Sequence, residues 1–447
     1  MGLTRGACPG RRASPGLAAA AAAAAVLAAG LAAGGPAGAA STRPASTGPP
    51  CGSPAPLTAA SAASDTGVTP TRVTVGNVAI LSGPVPGLFQ GAPTGVRAYF
   101  ALVNAHGGVY GRQLAVDGYD DGFNGQQNAL ATQQAVTKDF ALVGNFSLFD
   151  NYGCKVLAAA SSVPDVSVTL DPGTNSLPND FSAQPVGEGQ QLGPLLFYKR
   201  HYPTAVRKAA ALVANVSTAT AQWHAQELAM EHVGYHFTYV ADVSPLTTDF
   251  TTDVITMRSE GVQAVDITNL DYQLDATFMQ DLAQQNWHPQ LVFSAGPAYT
   301  NQFIKAAGGP ASANGLWIGQ GDSLYLGQDR ASIPAVGTFL SWVHRVAPAW
   351  NPDLFTLYGW ASAQLFVQAL RAAGPHPTRG AVLTALHHIT SFDASRLLAD
   401  GDPANKEPPS CYIMARVING GFQRVADPPD GGYRCDAPYY EVPGLAG

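Results

Sequence analysis

VTVGNVAILSGPVPGLFQGAPTGVRAYFALVNAHGGVYGRQLAVDGYDDGFN, residues 73–124, organises everything that follows it. It opens on an alternating β-branched run, Val73-Thr-Val-Gly-Asn-Val-Ala-Ile80, the pattern of a buried strand. A breaker-rich loop, 81–87, leads into a stretch where Val96, Tyr99, Phe100 and Val103 recur at helical spacing. The predicted helix stops at Asn104-Ala-His-Gly-Gly108, where glycine supplies the backbone freedom of a helix exit. Leu114-Ala-Val116 is a second strand, closed by Asp120-Asp-Gly122. The unit is βαβ, with a polar loop at the carboxyl end of its first strand, where open α/β sheets bind small ligands.

Leu81-Ser-Gly-Pro84, Gly107-Gly-Val-Tyr-Gly-Arg112 and Asp120-Asp-Gly122, in this order and spacing, resemble the type I substrate-binding proteins of ABC transporters, nearest the leucine/isoleucine/valine-binding branch. The resemblance extends over roughly residues 72–425. It implies an α/β fold of two doubly wound parallel-sheet lobes, joined by three crossovers around a ligand cleft.

The length of 447 residues allows two or three domains. A net charge of −7 and the absence of any basic run exclude a nucleic-acid binder. Residues 1–40 read as a cleaved signal peptide: Arg5, Arg11 and Arg12 precede an alanine-rich apolar stretch and the small residues Ala37-Gly-Ala39. The expected location is extracytoplasmic. Cys51 sits too far downstream, after Gly48-Pro-Pro50, for a lipid anchor. Cys8 leaves with the signal, and four cysteines remain, an even set in an exported chain. Three pairings are possible. We expect Cys51–Cys154, tying the tail to the first lobe, and Cys411–Cys435, closing a C-terminal hairpin. Their spacing does not suit zinc.

Residues 41–70 are a Ser/Thr/Pro/Ala-rich flexible tail. Helix 126–138, strand 140–144, helix 154–161 and strand 163–168 continue the first lobe, 71–187, which residues 322–395 later rejoin. The second lobe, 188–321 plus 396–435, opens with a helix at 189–202 and the buried strand 208–216. Strand–helix pairs then alternate to residue 319, favouring a parallel sheet. Helices at 333–346, 357–374 and 378–388 precede a hairpin turning at Asn419-Gly420, the strongest local hairpin signal. Residues 436–447 are a C-terminal tail.

No catalytic constellation is legible: there is no nucleophile elbow, His-Glu-x-x-His or Walker loop. The 187–193 glycine-rich stretch has the wrong last spacing for a dinucleotide loop, so no cofactor is expected. Asp120-Asp121 reads as a strand-end turn rather than a metal or acid/base pair. The strand-exit loops carry the candidates. Matching the family position by position, the first lobe offers Ser82, Ser147, Thr169 and Asp171, and the second Thr218, Thr220, Tyr272 and Tyr299. Phe89 and Phe146 make these loops aromatic, which suits an apolar or planar part of a ligand. Each polar residue has a rival role as a cap or turn former. Amino-acid binders of the family carry an acid in the region matching 294–299, to pair with the ligand ammonium. Here that stretch is Ser-Ala-Gly-Pro-Ala-Tyr. Asp171, Asp271 or Asp322 could substitute from another loop, or the ligand lacks an ammonium group.

The resemblance implies a monomeric, non-enzymatic protein that captures an amino acid, amide or related polar or aromatic compound. It would deliver this solute to an ABC permease whose ATPase subunits are separate chains. A sensor module of the same fold is the alternative, distinguished by whether a permease or a kinase gene lies alongside. A secreted α/β enzyme ranks third, and turnover abolished by substitution of Ser82 or Ser147 would favour it.

Overall fold

The computed structural model describes Cys51 and residues 65–85, 87–186, 189–425, 428 and 431–442. The expected signal peptide 1–40, the tail up to residue 64 apart from Cys51, and the last residue of the crossover expected near 181–187 lie outside the described residues.

Strand β1 (Arg72–Ala79) buries Val73, Val75 and Val78. Helix α1 (Gly91–Ala105) turns Val96, Phe100 and Val103 inward. Tyr99, from the same stripe, meets Trp360 edge-on at 5.0 Å instead. Strand β2 (Gln113–Asp120) lies parallel to β1 with Val73 opposite Leu114. Then come α2 (Gly125–Lys138), β3 (Leu142–Val143), α3 (Asp150–Ala159), β4 (Asp165–Val166), α4 (Pro172–Asn175) and β5 (Asp180–Phe181). The five strands form a parallel sheet in the order β2-β1-β3-β4-β5, so the winding reverses between β1 and β3.

The expected strands 140–144 and 163–168 are cut to two residues each. Side chains take over the ladder where the backbones diverge. Asn77 donates to the carbonyls of Val143 (2.9 Å) and Gly144 (2.5 Å), and Asn145 Oδ1 accepts from the Val78 amide (2.7 Å). Ser167 Oγ accepts from the Asn145 amide at 3.0 Å and donates to Asp165 at 2.5 Å.

The second run comprises β6 (Gly189–Gln191), α5 (Gly193–His201), β7 (Ala209–Ala214), α6 (Ser217–His232), β8 (Phe237–Val243), α7 (Thr251–Ser259), β9 (Ala264–Asn269), α8 (Tyr272–Gln284), β10 (Leu291–Ser294), α9 (Asn301–Ala306), α10 (Pro310–Ala313) and β11 (Trp317–Gln320). Helices α11 (Pro334–Val346), α12 (Leu354–Ala372) and α13 (Arg379–Leu386) follow. The described chain ends through β12 (Ile413–Ile418), β13 (Gly421–Arg424) and β14 (Tyr439–Glu441). The second sheet is ordered β13-β12-β11-β10-β9-β7-β8. Its parallel part, β8-β7-β9-β10-β11, repeats the winding of the first sheet, and β12 and β13 add an antiparallel edge. Asn419 (φ 52°) and Gly420 (φ 73°) make the left-handed turn between these two strands.

Three expectations need correction. Residues 189–191 are a strand rather than the start of a helix: they pair antiparallel with β14, inside the supposed C-terminal tail, and α5 starts afterwards at Gly193, with Pro194 in its first turn. Helix α6 begins at Ser217, which moves Thr218 and Thr220 from a strand-exit loop into its first turn. Lys406, expected with the second lobe, lies against the first sheet instead. Its ammonium donates to the carbonyls of Asn175 (2.5 Å), Leu177 (2.9 Å) and Asp180 (2.6 Å).

Helix α12 packs along α1 so closely that a Cβ on Gly95 would sit 2.0 Å from the Thr356 carbonyl oxygen, and one on Gly359 2.0 Å from that of Ala92. Only glycine permits that approach. Disulfides join Cys51 to Cys154 on α3 (Cα–Cα 5.2 Å) and Cys411 to Cys435 (4.1 Å).

Candidate functional site

The reversal point of the first sheet is built by loops whose own side chains fix them. Asp120, ending β2, accepts from the amides of Leu81 (3.0 Å), Ser82 (3.1 Å) and Gly122 (2.9 Å). Burial alone would raise its pKa, but these bonds and one from the Ser82 hydroxyl outweigh it and lower it. Ser82 itself is exposed at the β1 exit. Asp121 serves a different loop: it accepts from Ser147 Oγ (2.5 Å) and Asn128 (3.1 Å). Ser147 in turn accepts from the Phe149 amide at 3.0 Å. The adjacent carboxylates are therefore loop anchors, each with its own set of donors.

Phe146, leaving β3, is the centre of an aromatic cluster. Phe89 lies 4.7 Å and Phe355 4.8 Å from it, and Tyr358 stacks on it at 6.1 Å. Phe89 also meets Phe355 at 4.5 Å. Phe355 and Tyr358 come from the first turns of α12, started by a capping box in which Asp353 accepts from the Thr356 amide at 2.8 Å. Beyond β4, Thr169 donates to Asp180 (2.9 Å), and Asp171 caps α4 by accepting from the Thr174 amide (2.8 Å).

Behind the Phe146–Ser147 loop lies a cavity of about 30 Å³, lined by polar side chains such as Asn128, Asn145, Asp150, Ser167 and Thr169 and by apolar ones such as Val78, Leu157 and Val168. It has room for an ordered water. Burial and the neighbouring Asp171 push Asp150 up to about 7 there, and burial raises Asp165 to about 7.

The second sheet reverses between β7 and β9, and Thr218, Thr220 and Tyr272 flank this point. Thr218, buried at the start of α6, donates to the Leu148 carbonyl at 3.1 Å. One hydrogen bond thus joins the reversal loops of the two sheets. Thr220 turns back on its own helix, donating to the Val216 carbonyl at 3.1 Å. Tyr272 is the first residue of α8, half-buried, and its hydroxyl accepts from Gln273 at 3.1 Å. Tyr299 is placed elsewhere: it is 0 % exposed, its ring is wedged between Tyr325 and Phe422, and its hydroxyl donates to Gln328. It is a core residue of the second half in this conformation.

Of the candidates, the structure brings Phe89, Phe146 and Ser147 together at one reversal point, and Thr218 to its edge. Phe355 and Tyr358 were missed in the sequence. Their three-residue spacing beside the Asp353–Thr356 cap was the available signal. In this conformation Phe89, Phe146, Phe355 and Ser147 are buried and Tyr358 is half-buried, so the cluster is an apolar core beneath pinned polar loops.

The model of the family described as periplasmic binding protein matches residues 72–421. Among solved structures, the chain is similar to a fatty acid ABC transporter substrate-binding protein from Thermomonospora curvata, at 16 % identity and TM-score 0.69, covering 85 % of this chain and 94 % of that one. It also resembles a substrate-binding periplasmic protein from Ralstonia solanacearum, at 18 % identity and TM-score 0.68, covering 79 % and 100 %. A third is the branched-chain amino acid transporter substrate-binding protein of Streptococcus pneumoniae in complex with isoleucine, at 16 % identity and TM-score 0.62, covering 79 % and 99 %. No curated protein sequence matches. At these identities the structural likeness is one of fold. The reach of the family model along the chain, together with the twice-repeated winding, shows that the chain belongs to the periplasmic binding protein family.

Proposed function

We propose that the protein is an extracytoplasmic solute-binding protein that closes two lobes around a small molecule and hands it to an ABC permease. The lobes are the two sheets with their helices. The observation that carries this reading is the meeting of two reversal points, one from each sheet, through Thr218 and Leu148. Ligands of doubly wound sheets lodge outside such points, so a solute held here would touch both halves and favour the closed state by its differential affinity. Ser82, Phe89, Phe146, Ser147 and Thr218 supply the contacts on this reading, joined by Phe355 and Tyr358.

The printed names of the structural neighbours include a fatty acid and isoleucine, both with apolar portions. The Phe89–Phe146–Phe355–Tyr358 cluster supports a solute with an apolar or aromatic part here as well. No helix among the described residues is long and apolar enough to cross a membrane, so delivery would rest on permease chains elsewhere. The test is mass spectrometry of small molecules released from the purified protein, followed by titration of each with thermal denaturation and solution scattering. Compaction and a raised melting temperature on adding one of them are expected. A protein that carries no solute and answers none in a broad panel overturns the proposal.

A further inference from the structure

The C-terminal segment is fastened across the stretches that carry the chain from one half to the other. Three such stretches stand among the described residues. The first leaves β5 at Phe181 for β6 and α5, and the second leaves β11 at Gln320 for α11 and α12. The third runs from Lys406, held on the first sheet, to β12 of the second. Gln320 pairs with Ile413 at the start of β12, which sets the second crossing beside the third. Gln191 ties the first to the third: its side-chain amide donates to the carbonyls of Pro409 (3.1 Å) and Cys411 (2.7 Å).

Residues 433–441 lie over this junction. Tyr412 and Arg434 exchange amide-to-carbonyl bonds in both directions, at 2.8 and 2.9 Å. Strand β14 pairs antiparallel with β6, Tyr440 opposite Gln190, and the Leu192 amide donates to the Pro438 carbonyl at 3.3 Å. The Tyr439 hydroxyl reaches further back, donating to the Val186 carbonyl at 2.8 Å inside the first crossing. The Cys411–Cys435 bridge closes this segment onto the third crossing. Two strands of three residues are too short to stay paired alone. The bridge holds β14 beside β6 at a high local concentration, and so keeps the pairing. A hinge rotation in the first crossing is then left to the few residues between Phe181 and Val186.

The two disulfides are not equally open to attack. Cys435 is exposed and Cys411 half-buried, whereas in the other bridge Cys51 is half-buried and Cys154 is 0 % exposed. A thiolate must reach the sulfur that it attacks, so a dithiol meets Cys435 first.

We propose that residues 433–441 are a redox-sensitive strap on the hinge, and that Cys435 is the site at which a dithiol reductant releases it. The inference rests on the solute-capture reading, in which the halves move. A thiolate of the dithiol attacks Cys435 Sγ, a mixed disulfide forms, and Cys411 leaves as a thiolate. The second thiol of the reagent loses its proton and displaces Cys435. The reagent ends as a disulfide, and the protein has gained two electrons and two protons. Once β14 leaves β6 and Tyr439 leaves Val186, the ligand-free halves reach wider separations.

The experiment follows ligand-free protein by solution scattering and hydrogen exchange, as purified, after graded dithiothreitol, and after reoxidation. Part of each reduced sample is alkylated and mapped by mass spectrometry. Cys411→Ser/Cys435→Ser and Tyr439→Phe are measured alongside. Expected is alkylation of Cys411 and Cys435 at reductant levels that leave Cys51 and Cys154 joined. At those levels, exchange around Gln190, Gln191 and Tyr412 should speed up at least about tenfold. The radius of gyration should grow, and reoxidation should reverse both changes. The double variant should match the reduced state, and Tyr439→Phe, which keeps the bridge, should shift the same way by less. Faster exchange in the strap at an unchanged radius marks a merely local packing role and overturns the proposal. Release of Cys51–Cys154 before Cys411–Cys435 overturns the assignment of Cys435. If the double variant does not fold, reversible reduction of wild type decides. None of these readouts needs a solute: failure here leaves solute capture standing, and failure to answer any solute overturns capture alone.

Discussion

The two sheets wind their parallel strands in the same order, yet they finish them differently. In the first, β3, β4 and β5 have two residues each, and the chain beyond them is held by Asn77, Asp121, Asn145, Ser147 and Ser167. In the second, β7 alone is six buried residues, and the chain runs almost directly from strand into helix at Ser217 and Tyr272. The first half spends its polar side chains on shaping loops, and the second spends its apolar ones on a regular core. The difference teaches that one winding can yield a sculpted surface and a plain abutment, according to where the strands stop. Short strands free the loops to carry ligand contacts.

The sharpest break of this comparison is a matched pair of truncations. Phe146→Ala, in the aromatic cluster, should lower unfolding stability by about 3–5 kcal/mol and abolish the stabilisation given by a bound solute. Phe278→Ala, buried against Phe250 at 5.7 Å in the second half, should lose about as much stability but keep the solute response. Denaturant titrations with and without solute measure both. Loss of the response in both variants would erase the distinction between the halves.

Lys406→Ala comes next. It strips three carbonyls of their donor and leaves Asp165 and Asp180 without a nearby cation, at a cost of about 2–4 kcal/mol. Hydrogen exchange should show protection lost first around β4 and β5, with the second sheet unaffected.

A smaller effect follows from buried acids in both halves. Burial raises Asp150 and Asp165 in the first half to about 7, Asp266 in the second to about 7, and Asp322, just past β11, to about 8. Between their ordinary range and these values the native state holds protons that the unfolded chain has released. Stability therefore falls as pH rises through that window. The ligand-free protein should melt a few degrees higher at pH 5 than at pH 8, and a flat profile would contradict the burial of these groups.

The smallest change in stability belongs to Thr218→Val. It removes one hydrogen bond between the halves, so unfolding free energy should shift by about 1 kcal/mol or less. Solution scattering without solute should nevertheless report a larger radius of gyration. An unchanged radius would mean that other contacts hold the halves together.

What the sequence disclosed was what is local. The βαβ unit at residues 73–124, the alternation through residue 319 and the Asn419-Gly420 hairpin are written in periodicity and turn chemistry, and the structure has them. The pairing of Tyr439–Glu441 with Gly189–Gln191 left no such trace, because three residues are too few for a period and their partners lie at opposite ends of the second half. The candidate site was legible at Phe146 and Ser147, which lie in the loop leaving a strand. Phe355 and Tyr358 reach the same cluster from a helix some two hundred residues later: their spacing marks one helix face, but packing decides which cluster that face meets. Tyr299 misled because a tyrosine after a strand looks available, whereas Phe422 from the distant hairpin covers it.

The bridges at Cys51–Cys154 and Cys411–Cys435 span 103 and 24 positions along the chain. A protease that cuts once inside either span leaves its fragments covalently joined. Nicked molecules would therefore run at full size on a non-reducing gel and fall apart only after thiol treatment. For a protein read as living outside the cytoplasm, among hydrolases, two such clasps convert a severed backbone from a lost molecule into a repaired-looking one.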